Sequence, residues 1–327
     1  MRGAAILGSG RVAQAAARSL SGSPRLNLVA AHSASPERAG LDLGELAGIG
    51  PSGVLLDDSL ASVLDSDEVD VLIHCGAEHG DDLFELLLSV ADSGKALVTV
   101  SGLVHAPTEL GPGRFEELQT RALAGGARMT GAGMNPGFAL DVLPVLASSL
   151  LAGPTSIRSR RVTDIRHWGD AALSDQAGVG GEPGSGRGGG GFTLLPSGAL
   201  VAEALKGTTA GIEEETVELV TDRARGDGGR SIEAGRVSGF EKRVTGEVDG
   251  LRLELVWTAL FCIDPAADGV EPGISLEAAA DLDLVLDLRG PAIDDSYPAT
   301  AARAVSAAAA LVEMKPGIHR PDQVPAT

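Results

Sequence analysis

The sequence predicts an α/β protein, with a doubly wound parallel sheet in its N-terminal part and a second α+β domain of mostly antiparallel sheet. Two observations predict this. Over the first 135 residues, almost continuously apolar runs alternate with amphipathic stretches, whereas after Gly133 the runs are longer and alternate with polar residues. Strands covered by helices on both faces are apolar throughout, and half-exposed strands alternate. We therefore expect domains at residues 1–135 and 136–297, followed by a C-terminal helix within 298–327.

The N-terminal elements follow a regular order of strand and helix, which indicates right-handed βαβ units. The predicted strands are Gly3–Gly8, Leu26–His32, Gly53–Leu56, Val69–Cys75, Ala96–Val100 and Arg128–Thr130. The predicted helices are Val12–Leu20, Leu60–Leu64, Asp82–Ser93 and Phe115–Ala124.

The second half begins with a predicted helix at Phe138–Leu151 and continues mainly as strands. These are Ile157–Thr163, Glu215–Thr221, Arg236–Val248, Leu251–Phe261 and Asp281–Leu288. Asp249-Gly250 predicts a hairpin turn, because both residue types tolerate positive φ. An alanine-rich helix is expected at Thr300–Met314. Nine of the fourteen residues in Gly178–Gly191 are glycine, which fits either a disordered linker or a mobile loop that closes over substrate.

Composition restricts the class of partner. The net charge of −19 argues against nucleic-acid binding, which needs a concentrated basic face. No run of about 18 apolar residues predicts a membrane span, and no signal peptide is recognisable at the N-terminus, so we expect a cytoplasmic protein. The histidines and the two cysteines show no metal-ligand spacing, which predicts no metal site.

The segment Gly8-Ser9-Gly10-Arg11-Val12-Ala13 directly follows the first strand and opens a helix. Gly-x-Gly-x-x-Ala in this context is typical of a Rossmann dinucleotide site, where the pyrophosphate lies on the helix N-terminus. The alternative is a glycine turn that binds nothing. Ligands of such sheets bind at the carboxyl ends of the strands, so Cys75, which ends the fourth strand, and Gly76, which follows it, are also expected at the cofactor.

The residues after the second strand favour NADP(H), with NAD(H) still possible. NAD enzymes usually place an acid there for the ribose hydroxyls. This chain has His32-Ser33-Ala34-Ser35 instead, and Arg38 follows. Hydroxyls and a guanidinium suit a 2′-phosphate. Alternatively, Arg38 is only a surface charge.

Several stretches resemble the family of 2,4-diaminopentanoate dehydrogenases and native amine dehydrogenases, within the dihydrodipicolinate reductase-like group. They are Gly131-Ala132-Gly133-Met134-Asn135-Pro136-Gly137-Phe138, Leu41–Gly48, Ala299–Ala302 and Lys315–Gly317. The resemblance implies a homodimer formed through the sheet of the substrate domain, and a C-terminal helix that returns to the first domain. It also implies that a nicotinamide reduces a C=N bond, with Asn135, Pro136, Gly137 and Ser101 bordering the nicotinamide.

The sequence departs from this family after the fifth strand, where the family carries glutamates, one of which activates ammonia. Ser101–Pro107 contains no carboxylate, and Gly102 and Leu103 stand where we would expect the acid. Hydride transfer to a preformed imine or to a carbonyl needs only one proton donor. We name His105 and Glu78 as candidates for that catalytic role.

His79, Asp164, His167 and Trp168 are candidate substrate residues, although each could equally be an ordinary solvated side chain. Three functions remain open. The first is an NADPH-dependent reductase or dehydrogenase acting on a small amine, imine or carbonyl compound. The second is a dinucleotide-binding protein without redox turnover, such as a sensor or degenerate paralogue. The third is a lyase or isomerase that retains the cofactor.

Overall fold

A computed structural model describes residues 1–186, 188–189, 191 and 193–326. The chain forms two compact units, one of Met1–Phe138 with Tyr297–Thr327 and the other of Ala139–Ser296. The first contains a parallel sheet and the second a mostly antiparallel sheet, so the predicted fold class is confirmed. None of the helices in the described ranges is both long and apolar enough to span a membrane.

In the first unit strands and helices alternate from the N-terminus. They are β1 (Arg2–Leu7), α1 (Arg11–Ser21), β2 (Leu26–His32), the 3-10 turn Pro36–Arg38, α2 (Leu43–Ala47), β3 (Leu56–Asp57), α3 (Leu60–Asp65), β4 (Val71–His74), α4 (Gly80–Ser93), β5 (Ala96–Thr99), α5 (Ala106–Leu110), α6 (Pro112–Gly125) and β6 (Arg128–Gly131). The predicted strand Gly53–Leu56 is displaced toward the C-terminus. Gly53 has φ of +75° and donates its N–H to Asp42 instead of to a neighbouring strand.

The second unit is built around a six-stranded sheet. Its elements are α7 (Val142–Ser148), β7 (Ser156–Asp164), the π-helical turn Ala172–Gln176, α8 (Leu195–Lys206), β8 (Ile212–Val220), β9 (Arg225–Gly226), β10 (Ser231–Ile232), β11 (Val237–Val248), β12 (Leu251–Leu260), α9 (Pro265–Asp268), β13 (Gly273–Ala279), β14 (Asp283–Leu288) and α10 (Pro291–Asp294). The strand order is β14-β13-β7-β12-β11-β8, and every pair is antiparallel except β7 with β12.

The two longer helices of the second unit differ from the sequence prediction, and the short α9 and α10 were not predicted. The helix expected at Phe138–Leu151 is only α7, because the Asp141 carboxylate accepts the N–H of Val142 and so caps a later start. Helix α8 was not predicted, since Pro, Ser and Gly interrupt its apolar pattern. Gly198 in α8 permits close packing on β11, where a Cβ would lie 2.7 Å from Val244 Cγ1.

The chain then returns to the first unit as α11 (Ser296–Leu311), β15 (Gly317–His319) and the 3-10 turn Pro321–Gln323. Strand β15 pairs in parallel with β6 and completes the order β15-β6-β5-β4-β1-β2-β3. Most alanines of α11, including Ala304 and Ala308, are buried in one core cluster with Ile6 of β1 and Ala16 of α1. Small side chains let this helix lie close to its neighbours.

The glycine-rich segment is described except at Arg187 and Gly190. Its first part is hydrogen-bonded to β11, because Gly180 donates its N–H to the Val237 carbonyl and Val237 donates to Gly181. The prediction of a linker or a closing loop lies partly outside the described residues.

Candidate functional site

The glycine turn between β1 and α1 leaves open space in front of a helix N-terminus. Gly8 has φ of +120°, and a Cβ there would lie 3.1 Å from the Cys75 carbonyl group. Gly10 is the N-cap of α1, and a Cβ on it would meet no atom within 4 Å. No side chain caps this helix, and no acid lies in its first turn. Exposed N–H groups and the helix dipole therefore favour an anion at this position.

Hydroxyl groups connect the glycine turn to the end of β2. The Oγ atoms of Ser9 and Ser33 lie 2.9 Å apart, and Ser33 is buried. His32 Nδ1 donates to the carbonyl oxygen of Asp57, 2.9 Å away, which fixes the ring. Arg38 lies in the following 3-10 turn, and its guanidinium has no hydrogen bond or ion pair within the described part of the chain. The end of β2 thus combines hydroxyls with an uncompensated positive charge.

At the ends of β4 and β5, a series of hydrogen bonds connects Thr99 and His74 to the carboxylate of Glu78. His74, the last residue of β4, pairs in register with Thr99 of β5. Its Nδ1 lies 2.9 Å from Thr99 Oγ1, and its Nε2 lies 2.8 Å from Glu78 Oε2. Ser101 donates its N–H to Thr99 Oγ1 and its hydroxyl to the Gly76 carbonyl oxygen. The loops after both strands are therefore joined.

These contacts show which atoms carry the hydrogens in the series of hydrogen bonds from Thr99 to Glu78. An ionised carboxylate only accepts hydrogen bonds, so His74 Nε2 carries a hydrogen and donates it to Glu78. In the neutral ring Nδ1 then accepts from the Thr99 hydroxyl. The hydrogen bond from His74 lowers the pKa of Glu78 to about 2, in opposition to partial burial. Glu78 is therefore a carboxylate at neutral pH, with about a third of its side chain exposed.

The loop after β5 is held by a carboxylate that the sequence analysis missed. Glu109 accepts the N–H groups of Leu103, Val104 and His105 at 2.6, 2.7 and 2.9 Å. Burial raises the pKa of Glu109, and the three donors oppose that shift. A Cβ on Gly102 would lie 2.8 Å from Glu109 Oε2. The Glu109 carboxylate therefore holds the backbone of the loop after β5.

His105, a predicted proton donor, is only 2% exposed and serves as the N-cap residue of α5. Its Nδ1 lies 2.8 Å from Thr108 Oγ1. His79 is exposed and is the N-cap residue of α4, with Nδ1 3.2 Å from the Ala77 carbonyl oxygen. Of the candidate proton-handling groups, Glu78 combines exposure with a fixed position.

Asn135 contributes a buried polar atom without a partner. Its Oδ1 has no hydrogen bond among the described residues. The preceding Met134 donates its N–H to Thr300 Oγ1 of α11, 3.2 Å away. After Pro136, Gly137 has φ of +113°, and a Cβ on it would overlap Ala132 and Gly133. This segment therefore needs glycine and presents an amide acceptor.

The remaining candidate residues lie in the second unit. The Asp164 carboxylate accepts N–H groups from Cys262 and Ile263 and the guanidinium of Arg166, so its acceptor capacity is used in holding the end of β7. His167 is exposed, and the half-buried Trp168 has its ring 6.2 Å from that of Trp257.

The first unit thus brings together the predicted residues at the ends of its strands. His74 and Thr99 were missed, since a polar residue that ends an apolar strand is not distinctive in a sequence. Glu109 was missed because it lies in α5, beyond the Ser101–Pro107 segment in which an acid was expected. In the part of the chain that the structure describes, no group of three or more His, Cys, Asp or Glu side chains is arranged to hold a metal ion.

Two protein families match the chain. The C-terminal domain of 2,4-diaminopentanoate dehydrogenase matches residues 138–327, and the N-terminal domain of dihydrodipicolinate reductase matches residues 3–100. A 2,4-diaminopentanoate dehydrogenase from Acetoanaerobium sticklandii is 24% identical over 273 residues, which are 80% of this chain and 75% of the relative.

Solved structures show the same fold. An amine dehydrogenase from Mycobacterium smegmatis superposes with a TM-score of 0.80 at 23% identity, covering 99% of this chain and 96% of that one. A biliverdin reductase from Synechocystis, solved with biliverdin and NADP+, has a TM-score of 0.55 at 13% identity over 87% of this chain and 79% of that one.

Proposed function

Because the chain belongs to the 2,4-diaminopentanoate dehydrogenase family, a family of oxidoreductases, we propose that it transfers hydride between a nicotinamide dinucleotide and a small molecule. The hydride would be transferred to or from the carbon of an imine or amine, or of a carbonyl group. The relatives named 2,4-diaminopentanoate dehydrogenase and amine dehydrogenase support the nitrogen compounds.

One observation carries the proposal, the uncapped N-terminus of α1 behind the Gly8–Gly10 turn. The first turn of a helix has N–H groups without intrahelical partners, and a buried or half-buried helix start normally finds a cap for them. Here Gly10 supplies none, and the space in front of it is open. A pyrophosphate would satisfy those donors.

The residues present fit the rest of a nicotinamide dinucleotide. Gly8, Ser9, Gly10, Arg11 and Val12 would hold the pyrophosphate. The adenosine ribose of such cofactors binds at the end of the second strand, so the nicotinamide half belongs on the side of β4, β5 and β6. Cys75, Gly76, Ser101 and the Asn135-Pro136-Gly137 segment follow those strands. The orphaned Asn135 Oδ1 suits an amide N–H donor of the cofactor. When bound, the reduced cofactor supplies the hydride.

NADP(H) is the preferred form in this proposal. His32, Ser33 and Arg38 replace the acid that binds ribose hydroxyls, and a 2′-phosphate would give the Arg38 guanidinium a partner. Synechocystis biliverdin reductase, a relative in fold, binds NADP+. NAD(H) is the alternative.

In this proposal Glu78 and His79 bind substrate in the first unit, whereas Asp164, His167 and Trp168 of the second unit stay predicted substrate residues. We also propose a homodimer. Val217 and Val220 of β8 and Leu282 and Val285 near β14 expose apolar side chains on the edge strands of the second sheet. Sedimentation at several protein concentrations would measure the dimer.

The test of function has two steps. Fluorescence titration with NADPH and NADH measures cofactor binding, for which we expect micromolar NADPH binding and weaker NADH binding. A panel of primary amines, with 2,4-diaminopentanoate, cyclohexylamine and 2-aminopentane, is then tested for reduction of NADP+ and NAD+. Absence of binding of either cofactor would overturn the proposal.

A second candidate is a dinucleotide-binding protein without redox turnover. The observation in its favour is the segment Ser101–Pro107, which has no carboxylate where the family carries glutamates. Tight NADPH binding without hydride transfer to or from any amine, imine or ketone of the panel would support it.

A further inference from the structure

We propose that Glu78, held by His74 and Thr99, is the counter-ion that binds the positively charged nitrogen of the substrate. The ligand class is a primary ammonium or a protonated imine. This inference rests on the proposed function, whose site it completes, and assigns His74 and Thr99 as positioning residues.

The position of Glu78 follows from the sheet. His74 ends β4, one strand from β1, and the order β5-β4-β1-β2 puts the switch in direction between β4 and β1. Ligands of doubly wound sheets bind at the carboxyl edge beside this switch. Glu78 lies in the loop that leaves β4 at that edge, and its carboxylate is partly open to solvent.

The carboxylate is fixed by its neighbours. His74 is 1% exposed, so its ring cannot leave the end of the strand without opening the core. Its two nitrogens join Thr99 and Glu78, and Ser101 N–H holds the Thr99 oxygen from the other side. One Glu78 oxygen accepts from His74, and a carboxylate has further acceptor sites for a ligand.

Gly76 is part of the same arrangement. A Cβ on Gly76 would overlap the Glu78 carboxylate and approach His74 Nε2 within 2.7 Å. The Glu78 side chain therefore folds back over a position that only glycine leaves free. A solvated surface carboxylate would need neither this glycine nor a buried donor.

The nearby carboxylate of Glu109 is not available for this task. It lies under the loop after β5 and accepts three backbone N–H groups. Glu78 is the ionised, partly exposed carboxylate at the ends of β4 and β5 among the described residues.

The chemistry is that of an ion pair beside the reacting carbon. A carboxylate favours the protonated imine over the neutral one, and the protonated form accepts hydride more readily. Hydride transfer from the reduced nicotinamide makes a C–H bond, and the C=N π electrons become the lone pair of a neutral amine while the cofactor is oxidised. In the reverse direction the same charge binds the ammonium form, which must release one proton to solvent water before the neutral amine can lose hydride.

The experiment compares Glu78→Gln with the wild type and with Glu85→Gln, an exposed glutamate of α4 that makes the same change in charge. The protein saturated with NADP+ is titrated with cyclohexylamine, 2-aminopentane and the neutral isostere cyclohexanol. We expect Glu78→Gln to weaken binding of the ammonium ions about 10- to 100-fold, with NADP+ and cyclohexanol unchanged. For any amine that is turned over, KM should rise by a similar factor.

His74 supplies the second readout. His74→Gln keeps an N–H donor toward Glu78 and should retain more ammonium affinity than His74→Phe, which keeps none. A purely structural role would lower the stability of both variants without this order in affinity.

Equal ammonium affinity of wild type and Glu78→Gln, or equal loss for cyclohexanol, would overturn the inference. Failure of the proposed function is a different result, in which no amine reduces NADP+ although the ammonium ions bind through Glu78.

Discussion

The two halves of the carboxyl edge of the parallel sheet differ in charge and in how that charge is made. At the ends of β1 and β2, backbone N–H groups of α1, two serine hydroxyls and Arg38 create a place for anions. At the ends of β4 and β5, one buried histidine holds one ionised glutamate. In the proposed function, this difference would separate a polyanionic cofactor from a cationic substrate nitrogen along a single edge.

The two halves also differ in which substitutions would disrupt them. The anion side depends on the absence of side chains at Gly8 and Gly10, because backbone donors work only if nothing covers them. The carboxylate side depends on side-chain contacts, in which the loss of one partner leaves another group misplaced. The following changes separate these two kinds of dependence.

Gly10→Asp should have the largest effect. The side chain fits without a clash, since a Cβ meets nothing within 4 Å, but its charge occupies the anion position. We expect NADPH affinity to fall by at least about 100-fold with the fold intact, as measured by fluorescence titration and circular dichroism. Gly113→Asp, in the first turn of α6, adds the same group elsewhere and should leave binding unchanged. Normal NADPH binding by Gly10→Asp would refute the pyrophosphate site.

Gly76→Ala tests the carboxylate side without altering charge. The new methyl group should displace the flexible Glu78 carboxylate, so ammonium binding should fall about 10-fold or more, as in Glu78→Gln. Thermal stability should also fall, because the methyl group would lie 2.7 Å from Nε2 of the buried His74 ring, and cyclohexanol binding separates that effect from the loss of the carboxylate position. Unchanged affinity for cyclohexylamine would mean that the position of Glu78 is not needed.

Arg38→Ala should change the choice between cofactors. Loss of the guanidinium should weaken NADPH about 10-fold and leave NADH nearly unchanged, because only NADPH carries the 2′-phosphate. Arg25→Ala, an exposed arginine just before β2, is the matched control for the loss of charge. If the ratio of NADPH to NADH affinity is the same in all three proteins, Arg38 is a surface charge.

The smallest effect concerns stability and pH. The folded protein lowers the pKa of Glu78 from 4.5 to about 2, so the ionised carboxylate stabilises the fold above pH 4.5. That contribution is lost as pH falls from 4.5 toward 2. It should be about 1 kcal/mol or less, because solvent screens the partly exposed pair. The difference in Tm between wild type and Glu78→Gln should therefore shrink over this range, and a constant difference would contradict a stabilising hydrogen bond from His74 to the Glu78 carboxylate.

The glycine turn and the polar residues after β2 could be recognised in the sequence, whereas the contacts of Glu78 could not. Gly8, Gly10 and Ser33 lie within one βαβ unit, where local spacing fixes geometry. Glu78 was named only as one of two proton donors, because nothing in the sequence joins it to Thr99, 21 positions farther along. Two helix predictions were wrong for reasons of the same kind. The Asp141 cap starts α7 later than predicted, and α8 depends on close packing at Gly198, which only the tertiary structure shows.

The sequence by itself determined the fold class, the glycine turn and the lack of an acid after β2, since these depend on periodicity and on residues close together in the chain. The tertiary structure decided which carboxylate stabilises a loop and which one is partly exposed at the carboxyl edge of the parallel sheet. Glu109 and Glu78 are equally polar in the sequence, but one accepts three buried N–H groups and the other rests on His74 with an open side. Burial and hydrogen-bond partners assign those roles, and both arise only when β4 and β5 lie side by side.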